Sequence, residues 1–222
     1  MSLVKKLLLK KIESHNSNRN LRSLMSKREI KTFQFLLKNF YNHQFLSKNK
    51  TKVLDVGCAD KFLEKSFLEK NIDYTGIDIN DCDLNKDKIN FPANTFDYII
   101  CLALVEHISN TDNIFTEFNR VLKKEGILYI TTPNWIYSSD IFYDDPTHVK
   151  PYTPKSLESI MKLYNFKNIQ TFPGLRCKPK WFYTGRNRFF KGRYLLPFSG
   201  NNNFAPNFLK GSAKSIIAIG TK

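Results

Sequence analysis

Residues 53–63, Val-Leu-Asp-Val-Gly-Cys-Ala-Asp-Lys-Phe-Leu, form an apolar run that ends at a glycine and continues into a helical pattern. A strand, a tight turn and a helix in this order are typical of open α/β sheets, which bind ligands at the carboxyl ends of their strands. Gly57 can adopt a positive φ and lets a ligand approach the backbone closely. Many ordinary strand-to-helix turns also use one glycine, so this stretch by itself does not identify a ligand site.

Strand and helix patterns alternate along the chain from residue 51 onward. Strands are predicted at 52–56, 74–79, 96–103, 127–131, 166–172 and 215–221. Helices are predicted between them at 62–69, 114–122 and 154–163. Strands that are separated by helix-length segments predict right-handed crossovers and a mainly parallel sheet.

Two regions differ from this alternating pattern. Residues 1–49 are predicted to form a basic helical extension, with an amphipathic helix at 3–12 and one helix or a pair at 21–46. A peripheral membrane contact through 3–12 is one reading, although a docked or solvated helix is favoured. Residues 50–222 then form the α/β domain, with an insertion at about 173–210. The many aromatic residues of this insertion favour a segment that covers the ligand face or docks a partner.

The chain of 222 residues carries a net charge of +15, which is unevenly distributed. Residues 1–50 hold 12 basic against 2 acidic residues, residues 51–158 hold 11 against 18, and residues 159–222 hold 12 against none. Basic flanks suit an anionic acceptor, a nucleic acid or a membrane surface, whereas a general enrichment in lysine is the plainer explanation.

The sequence predicts a cytoplasmic location, with peripheral membrane contact as the alternative. The four cysteines are scattered without a CxxC pair, which favours reduced thiols. Every apolar stretch is far shorter than the ~20 residues of a membrane span. The N-terminus lacks the long apolar run and the cleavage site of a secretory signal.

Asp78 is the second feature of a ligand site, because it lies at the end of the second predicted strand, 21 residues after Gly57. In nucleotide-binding α/β domains a carboxylate at this position accepts hydrogen bonds from ribose hydroxyls. A helix-capping aspartate is the alternative interpretation.

Six segments in the same order resemble the motifs of class I S-adenosylmethionine-dependent methyltransferases. They are residues 53–63, 74–79, 90–100, 104–108, 119–130 and 147–157, of which the last resembles the type 11 subgroup. The resemblance covers about residues 50–172 and the closing strand. It implies a methyltransferase with S-adenosylmethionine as cofactor and a Rossmann-like α/β fold. The expected sheet is mostly parallel with a C-terminal antiparallel strand, and helices precede it.

The resemblance also implies a cofactor site at the matching positions. Asp55 would support the amino group of the cofactor, directly or through the turn, and the methionine part would lie along Gly57, Cys58 and Ala59. Asp78 would hold the ribose hydroxyls. The other implied contacts are Ile79, Asp83 and Leu84 near the adenine, and Cys101, Leu102 and Ala103 near the sulfonium.

The turn departs from the family pattern at Ala59 and Lys61, where the family usually has glycine. Ala59 adds only a methyl group, so cofactor binding should survive if its backbone angles are ordinary. Lys61 is the larger change. The run Asp-Lys-Phe-Leu at 60–63 is similar to an Asp-Lys-Pro-Tyr subgroup that is associated with genes for surface polysaccharides and glycolipids. This similarity suggests an acceptor in surface glycan biosynthesis.

Methyl transfer to a hydroxyl needs a group that accepts or polarises its proton. His148, in the loop after the strand at 127–131, is the leading candidate, and His107, after the strand at 96–103, is the second. A structural histidine is the alternative for His107. Tyr152 is a candidate hydrogen-bond partner of the acceptor. The histidines, cysteines and acidic residues show no metal-ligand spacing, so no metal site is predicted.

The leading hypothesis is an O-methyltransferase for a small-molecule, sugar or lipid-linked acceptor, with the insertion as substrate cover. Its arginines and lysines would hold anionic groups of the acceptor. An RNA-modifying methyltransferase is the first alternative, because basic and aromatic residues suit phosphate contacts and base stacking. The lack of an Asn-Pro-Pro-Tyr-type motif argues against it. The second alternative is a non-catalytic cofactor-binding subunit.

Overall fold

The computed structural model describes residues 19–41, 51–174, 182, 196–200, 202, 204–206 and 209–222. The predicted helix at 3–12 and most of the insertion at 173–210 therefore lie outside the described residues. Among the helices of the described segments, none has the length and apolar character needed to cross a membrane.

Six strands form one sheet in the order β2-β1-β3-β4-β6-β5. The strands are β1 (Lys52–Val56), β2 (Asp73–Ile77), β3 (Phe96–Leu102), β4 (Leu122–Pro133), β5 (Lys167–Pro173) and β6 (Ser215–Thr221). The first four run parallel, and β6 pairs antiparallel with both β4 and β5. The predicted mostly parallel sheet with a C-terminal antiparallel strand is thus confirmed.

Within the described residues, five α-helices and two 3₁₀ turns connect or cover the strands. The helices are α1 (Arg19–Phe40), α2 (Glu64–Leu68), α3 (Thr111–Val121), α4 (Trp135–Ser138) and α5 (Pro154–Leu163), and the 3₁₀ turns are Val105–His107 and Phe142–Asp144.

Several predicted boundaries differ from the structure, and two of them illustrate why. The helix predicted at 62–69 begins only at Glu64, because residues 60–63 form turns, in which Lys61 has a left-handed backbone with φ of +53° and the Glu64 N–H donates to the Lys61 carbonyl. The strand predicted at 127–131 begins at Leu122, where the chain is already extended after the last residue of α3. Leu122 is apolar and fully buried, so it satisfies the helical pattern as well as the strand pattern.

The sheet is covered on both faces. On one face, α1 contributes Ile30, Phe33, Leu36 and Leu37 to a core that contains residues of β1, β3 and β4. The ring centroids of Phe33 and Tyr129 are 4.6 Å apart. On the other face, α3 and α5 bury their apolar sides, whose buried residues include Phe115, Phe118, Leu157 and Met161. The helices thus cover the faces of the sheet, and the turns after the parallel strands project from its carboxyl edge.

The turn after β1 has an unusual backbone. Gly57, Ala59 and Lys61 all have positive φ, of +76°, +48° and +53°. The condition of ordinary backbone angles at Ala59, on which the expected cofactor binding was based, is therefore not met. Hydrogen bonds hold this conformation: the N–H groups of Gly57 and Cys58 both donate to the Ile77 carbonyl, at 2.9 and 3.1 Å, and the Lys61 N–H donates to the Cys58 carbonyl at 2.8 Å. The chain thus keeps a turn suited to glycine with non-glycine residues.

Replacing Lys61 by glycine should stabilise the protein by about 1 kcal/mol. A left-handed backbone costs an L-residue roughly 1–2 kcal/mol, and part of the gain is offset by the greater freedom of glycine in the unfolded chain. Urea unfolding measures the change. The matched control is Lys65→Gly, an exposed helical position in α2 where glycine should destabilise by about 1 kcal/mol. A loss of stability in Lys61→Gly would show that the lysine side chain outweighs the backbone strain.

Candidate functional site

Asp78 joins the turns that follow β1 and β2. Its Oδ2 accepts a hydrogen bond of 2.7 Å from the Ala59 N–H, and its Oδ1 accepts one of 2.7 Å from the Ile79 N–H. A carboxylate has about four acceptor positions, so these two bonds orient the group and leave it able to accept further donors. Asp78 is half-buried at the carboxyl edge of the sheet, which is where the sequence predicts the ribose of the cofactor.

Asp55 lies beneath the same turn and is buried. The Tyr74 hydroxyl donates to its Oδ2 at 2.7 Å. Burial raises the pKa of Asp55 to about 7, with smaller contributions from the negative charges of Asp78 and Asp60. The Asp55 carboxyl group therefore changes its charge state near neutral pH, so a cation that binds beside it will be sensitive to pH.

Arg22 of α1 braces the outer side of this turn. Its Nε lies 3.0 Å from Asp60 Oδ2, and its guanidinium lies 5.0 Å from the centre of the Phe62 ring. Arg22, Asp60 and Phe62 line a cavity of about 250 Å³ between α1 and the turn, together with Lys61 and Ser26. The first helix thus helps to hold the turn as well as covering the sheet.

The two cysteines among the predicted cofactor contacts have buried side chains. Cys58 packs against Gly76, where an added Cβ would come within 2.9 Å of its Sγ. Cys101 is fully buried in the core, and its place near the sulfonium stays a prediction. Burial raises the pKa of both thiols, that of Cys58 to about 12. Leu102 is half-buried and Ala103 exposed, and these two residues form the edge after β3.

The predicted adenine contacts follow β2. Ile79 is half-buried at the edge. Asp83 caps a turn, in which its Oδ1 accepts from the Asn85 N–H at 3.2 Å, and it pairs with Lys86. Leu84 is buried in the core. Ile79 and Asp83 are thus available at the surface, whereas Leu84 supports them from below.

The 3₁₀ turn after β3 carries Glu106, a residue that the sequence analysis did not single out. Its side chain is 1% exposed, and its Oε2 accepts a hydrogen bond of 2.9 Å from the Thr132 hydroxyl. Its backbone carbonyl accepts from the Val149 and Lys150 N–H groups at 2.9 and 3.0 Å. These two bonds draw the loop after β4 toward the turn after β3.

His107 and His148 meet at this junction, with ring centroids 4.7 Å apart. The Nδ1 of His107 lies 3.1 Å from the Thr147 carbonyl oxygen and 2.9 Å from the Thr147 hydroxyl. The Nδ1 of His148 lies 2.6 Å from the Phe142 carbonyl oxygen. Since a carbonyl oxygen only accepts, we assign the proton of each neutral ring to Nδ1 and the lone pair to Nε2.

We call Glu106, His107 and His148 the Glu-His-His cluster. One potential ligand atom of each residue lies within 4.8 Å of the others. The sequence named both histidines as candidates but gave no reason for them to be neighbours, because they are 41 positions apart. The position of Glu106, next to His107 at the end of a predicted strand, was the signal that could have found it.

Tyr152 lies under this cluster. It belongs to the core and is 2% exposed, and its hydroxyl has no hydrogen-bond partner among the described residues. Burial raises the pKa of Tyr152, with further contributions from nearby Glu106 and Cys101. Its hydroxyl therefore stays protonated at neutral pH and can serve as a donor inside the site.

A model of the family described as "Methyltransferase domain" matches residues 19–171 of this chain. The match includes α1, all four parallel strands and both candidate histidines. No curated protein shows significant sequence similarity to the chain.

Solved structures share the fold at low sequence identity. A SAM-dependent methyltransferase from Archaeoglobus fulgidus is 19% identical, with 95% of this chain and 97% of that chain aligned at a TM-score of 0.61. A chain from the complex of the Haloferax volcanii Trm112 methyltransferase activator with a methyltransferase is 10% identical, with 90% of this chain and 92% of that chain aligned at a TM-score of 0.58.

A third similar structure comes from a longer protein. Phosphoethanolamine N-methyltransferase 2 from Haemonchus contortus, in complex with phosphomonomethylethanolamine and S-adenosylhomocysteine, is 17% identical at a TM-score of 0.56. The alignment covers 85% of this chain and 51% of the Haemonchus chain.

The type 11 motifs found in the sequence are consistent with the matched family. The motifs, the six-stranded sheet and the family match over residues 19–171 lead to one conclusion. The chain belongs to the methyltransferase-domain family and is an S-adenosylmethionine-dependent class I methyltransferase.

Proposed function

We propose that this enzyme transfers the methyl group of S-adenosylmethionine to a hydroxyl of a small-molecule, sugar or lipid-linked acceptor. The observation that carries the proposal is the Glu-His-His cluster, in which the imidazole of His107, four residues beyond Ala103, lies next to that of His148. A hydroxyl is a poor nucleophile until its proton is removed or polarised, and imidazole is the side chain best suited to do this near neutral pH.

The proposed cofactor position follows the edge from β2 to β3. The ribose hydroxyls donate to Asp78, and the adenine lies against Ile79 near Asp83. The methionine part follows Gly57 to Ala59, and the sulfonium lies near Leu102 and Ala103. The compact packing of this turn supports the placement, because an added Cβ on Gly57 would lie only 3.0 Å from the Leu104 side chain. The glycine thus keeps the turn close to β3.

The reaction is an in-line displacement. The acceptor oxygen forms a bond to the methyl carbon while the bond between that carbon and the sulfonium sulfur breaks, which yields S-adenosylhomocysteine. The proton of the hydroxyl passes to the Nε2 of His148, whose side chain is 12% exposed and whose Nδ1–H is held by the Phe142 carbonyl. His107 is the second proposed acceptor of this proton.

An anionic group on the acceptor would find many basic partners. Residues 159–222 hold 12 basic and no acidic residues. Eight of the basic residues belong to the insertion, among them Arg176, Lys178, Lys180, Arg186 and Arg188. Arginine binds phosphate and carboxylate groups in a bidentate manner, which suits a sugar phosphate or a lipid-linked phosphate. These five residues lie outside the described part of the chain, so this step rests on the sequence.

Asp78→Ala should abolish measurable cofactor binding, because it removes the proposed acceptor for the ribose hydroxyls and the anchor of the Ala59 N–H. Calorimetric titration with S-adenosylmethionine measures the affinity. The matched control is Asp73→Ala, an exposed aspartate at the opposite end of β2, which should keep the wild-type affinity. An Asp78→Ala variant that still binds normally would contradict the proposed ribose contact.

Cofactor affinity should fall as the pH is lowered from about 8 to about 6. Asp55 has a pKa of about 7 and favours the ammonium group of the cofactor only when charged. The stability of the unliganded protein should change in the opposite direction. Because the pKa of Asp55 is raised in the folded state, protonated Asp55 stabilises the folded protein. This contribution of Asp55 to stability is lost as the pH rises through about 7.

Calorimetric titration at several pH values tests the role of Asp55. Asp55→Asn should bind the cofactor more weakly at pH 8 and show a flatter pH profile, and it should raise the stability of the unliganded protein at pH 8. Asp73→Asn is the control and should follow the wild type. A wild-type affinity that does not change with pH would exclude Asp55 as the partner of the ammonium group.

His148→Asn should lower kcat by about 10²-fold or more without changing cofactor affinity. Asparagine can still donate to the Phe142 carbonyl but has no lone pair at the position of Nε2, and general-base catalysis typically contributes 10²–10⁴-fold. The assay uses methyl-labelled cofactor with sugar, glycolipid and RNA fractions, and mass spectrometry identifies the methylated atom. Tyr143→Phe, an exposed neighbour, is the control. Label that appears only on nitrogen or only in RNA would reject the proposed O-methylation.

A further inference from the structure

The Glu-His-His cluster also has the geometry of a metal site. Its three potential ligand atoms lie within 4.8 Å of one another. In a tetrahedral site with metal–ligand distances of 2.0–2.2 Å, the ligand atoms are roughly 3.4 Å apart. The difference is small enough for side-chain rotations to close it.

Both imidazoles are already oriented as metal ligands usually are. A histidine that binds a metal almost always donates its other ring N–H to a carbonyl or a carboxylate, which fixes the tautomer. In this protein the Nδ1 of His148 bonds to the Phe142 carbonyl at 2.6 Å, and that of His107 bonds to the Thr147 carbonyl at 3.1 Å. Because Nδ1 of each ring bonds to a carbonyl, Nε2 is the nitrogen of each histidine that would coordinate an ion.

The carboxylates around the cluster are also held in place. Glu106 is buried, and its Oε2 accepts a hydrogen bond of 2.9 Å from the Thr132 hydroxyl, which orients the carboxylate. Asp145 accepts from the Thr147 N–H and hydroxyl, at 3.0 and 2.6 Å, and so fixes the residue that orients His107. The Oδ2 of Asp145 lies 3.8 Å from the Nε2 of His148, so Asp145 is a fourth potential ligand close to the cluster.

We propose that Glu106, His107 and His148 bind a divalent transition-metal ion. Two imidazoles and one carboxylate suit Zn²⁺ and its first-row neighbours, whereas Mg²⁺ and Ca²⁺ prefer oxygen ligands alone. The buried hydroxyl of Tyr152 supports a polar ligand at this place. It has no partner among the described residues.

The ion would act on the acceptor, and this step rests on the proposed O-methylation. A bound divalent cation lowers the pKa of a hydroxyl that coordinates to it. With the ion bound, Nε2 of His148 would be a ligand of the ion, and the acceptor hydroxyl would lose its proton to solvent water. The proton transfer to His148 proposed above applies to the protein without the ion. The binding of the ion does not depend on the identity of the acceptor.

The test is metal binding by the full-length chain. Chelator-treated protein is titrated with Zn²⁺ in a calorimeter, and Co²⁺ is added separately to record its visible absorption spectrum. We expect one equivalent of Zn²⁺ at micromolar or tighter affinity and a Co²⁺ spectrum typical of four or five nitrogen and oxygen ligands. His148→Asn and Glu106→Gln should each weaken binding by at least about 100-fold, which exceeds the usual effect of a supporting hydrogen bond.

The matched control is the double variant His15→Gln, His43→Gln, which removes the other two histidines of the chain and should bind like the wild type. Circular dichroism checks that each variant is folded. If His148→Asn is unfolded, the Glu106→Gln variant decides the test. A wild-type chain that binds less than half an equivalent, or folded cluster variants with wild-type affinity, would overturn the proposal. One-to-one binding without O-methyl product rejects the proposed function and keeps the metal site. O-methyl product without such binding rejects the metal site alone.

Discussion

The parallel pairing of β1, β2, β3 and β4 is the constraint on which the rest of the site depends. Parallel neighbours require that the chain return to the opposite edge after every strand, so each turn after a strand opens at the same edge. This alone brings Gly57, Asp78 and Ala103 together from segments that are up to 46 residues apart in sequence. Packing of helices on both faces then leaves this edge as the place where polar groups can face a ligand.

Hydrogen bonds between the turns hold backbone conformations that the residues themselves disfavour. The Ala59 N–H donates to Asp78, and the N–H of Ala103, whose φ is +50°, donates to the Thr131 carbonyl at 2.9 Å. Left-handed backbone at non-glycine residues persists only where the surroundings determine it, and such residues concentrate at ligand sites. Here the surroundings are the neighbouring strands, so the sheet that creates the edge also maintains its strain.

Much of the sheet could be predicted from the sequence because buried strands leave continuous apolar runs. β1 and β6 were predicted with their exact limits, and the helix Pro154–Leu163 was as well. The start of α2 could not be predicted, because hydrophobic periodicity carries no information about the left-handed backbone of Lys61. Burial of Cys101 was equally hidden, since alternation along a strand that is covered on both faces does not tell which side chains reach the edge.

The residues of the candidate site that could be predicted are those whose position follows from the end of a single strand. The positions of Gly57 and Asp78 follow from strand ends and could be read from the sequence. The Glu-His-His cluster depends instead on two backbone bonds, from Val149 and Lys150 to the Glu106 carbonyl, which bring together segments about 40 residues apart. No local pattern encodes such bonds. Both histidines could therefore be named as candidates, but their contact with each other could not.

The charges of the molecule act over two different distances. For a ligand in contact with it, the carboxyl edge of the sheet is negative, because Asp55, Asp60, Asp78 and Glu106 lie on or beneath it. The mutual repulsion of Asp55, Asp60 and Asp78 contributes to the raised pKa of Asp55. The sulfonium or ammonium group of the cofactor relieves this repulsion when it binds beside these residues, so the unliganded protein gives up stability that the cationic ligand restores. The +15 net charge lies mainly in the flanks, and salt screens it beyond about 8–10 Å. The positive charge of the chain is thus concentrated in sequence segments other than those that supply the acidic groups of the edge.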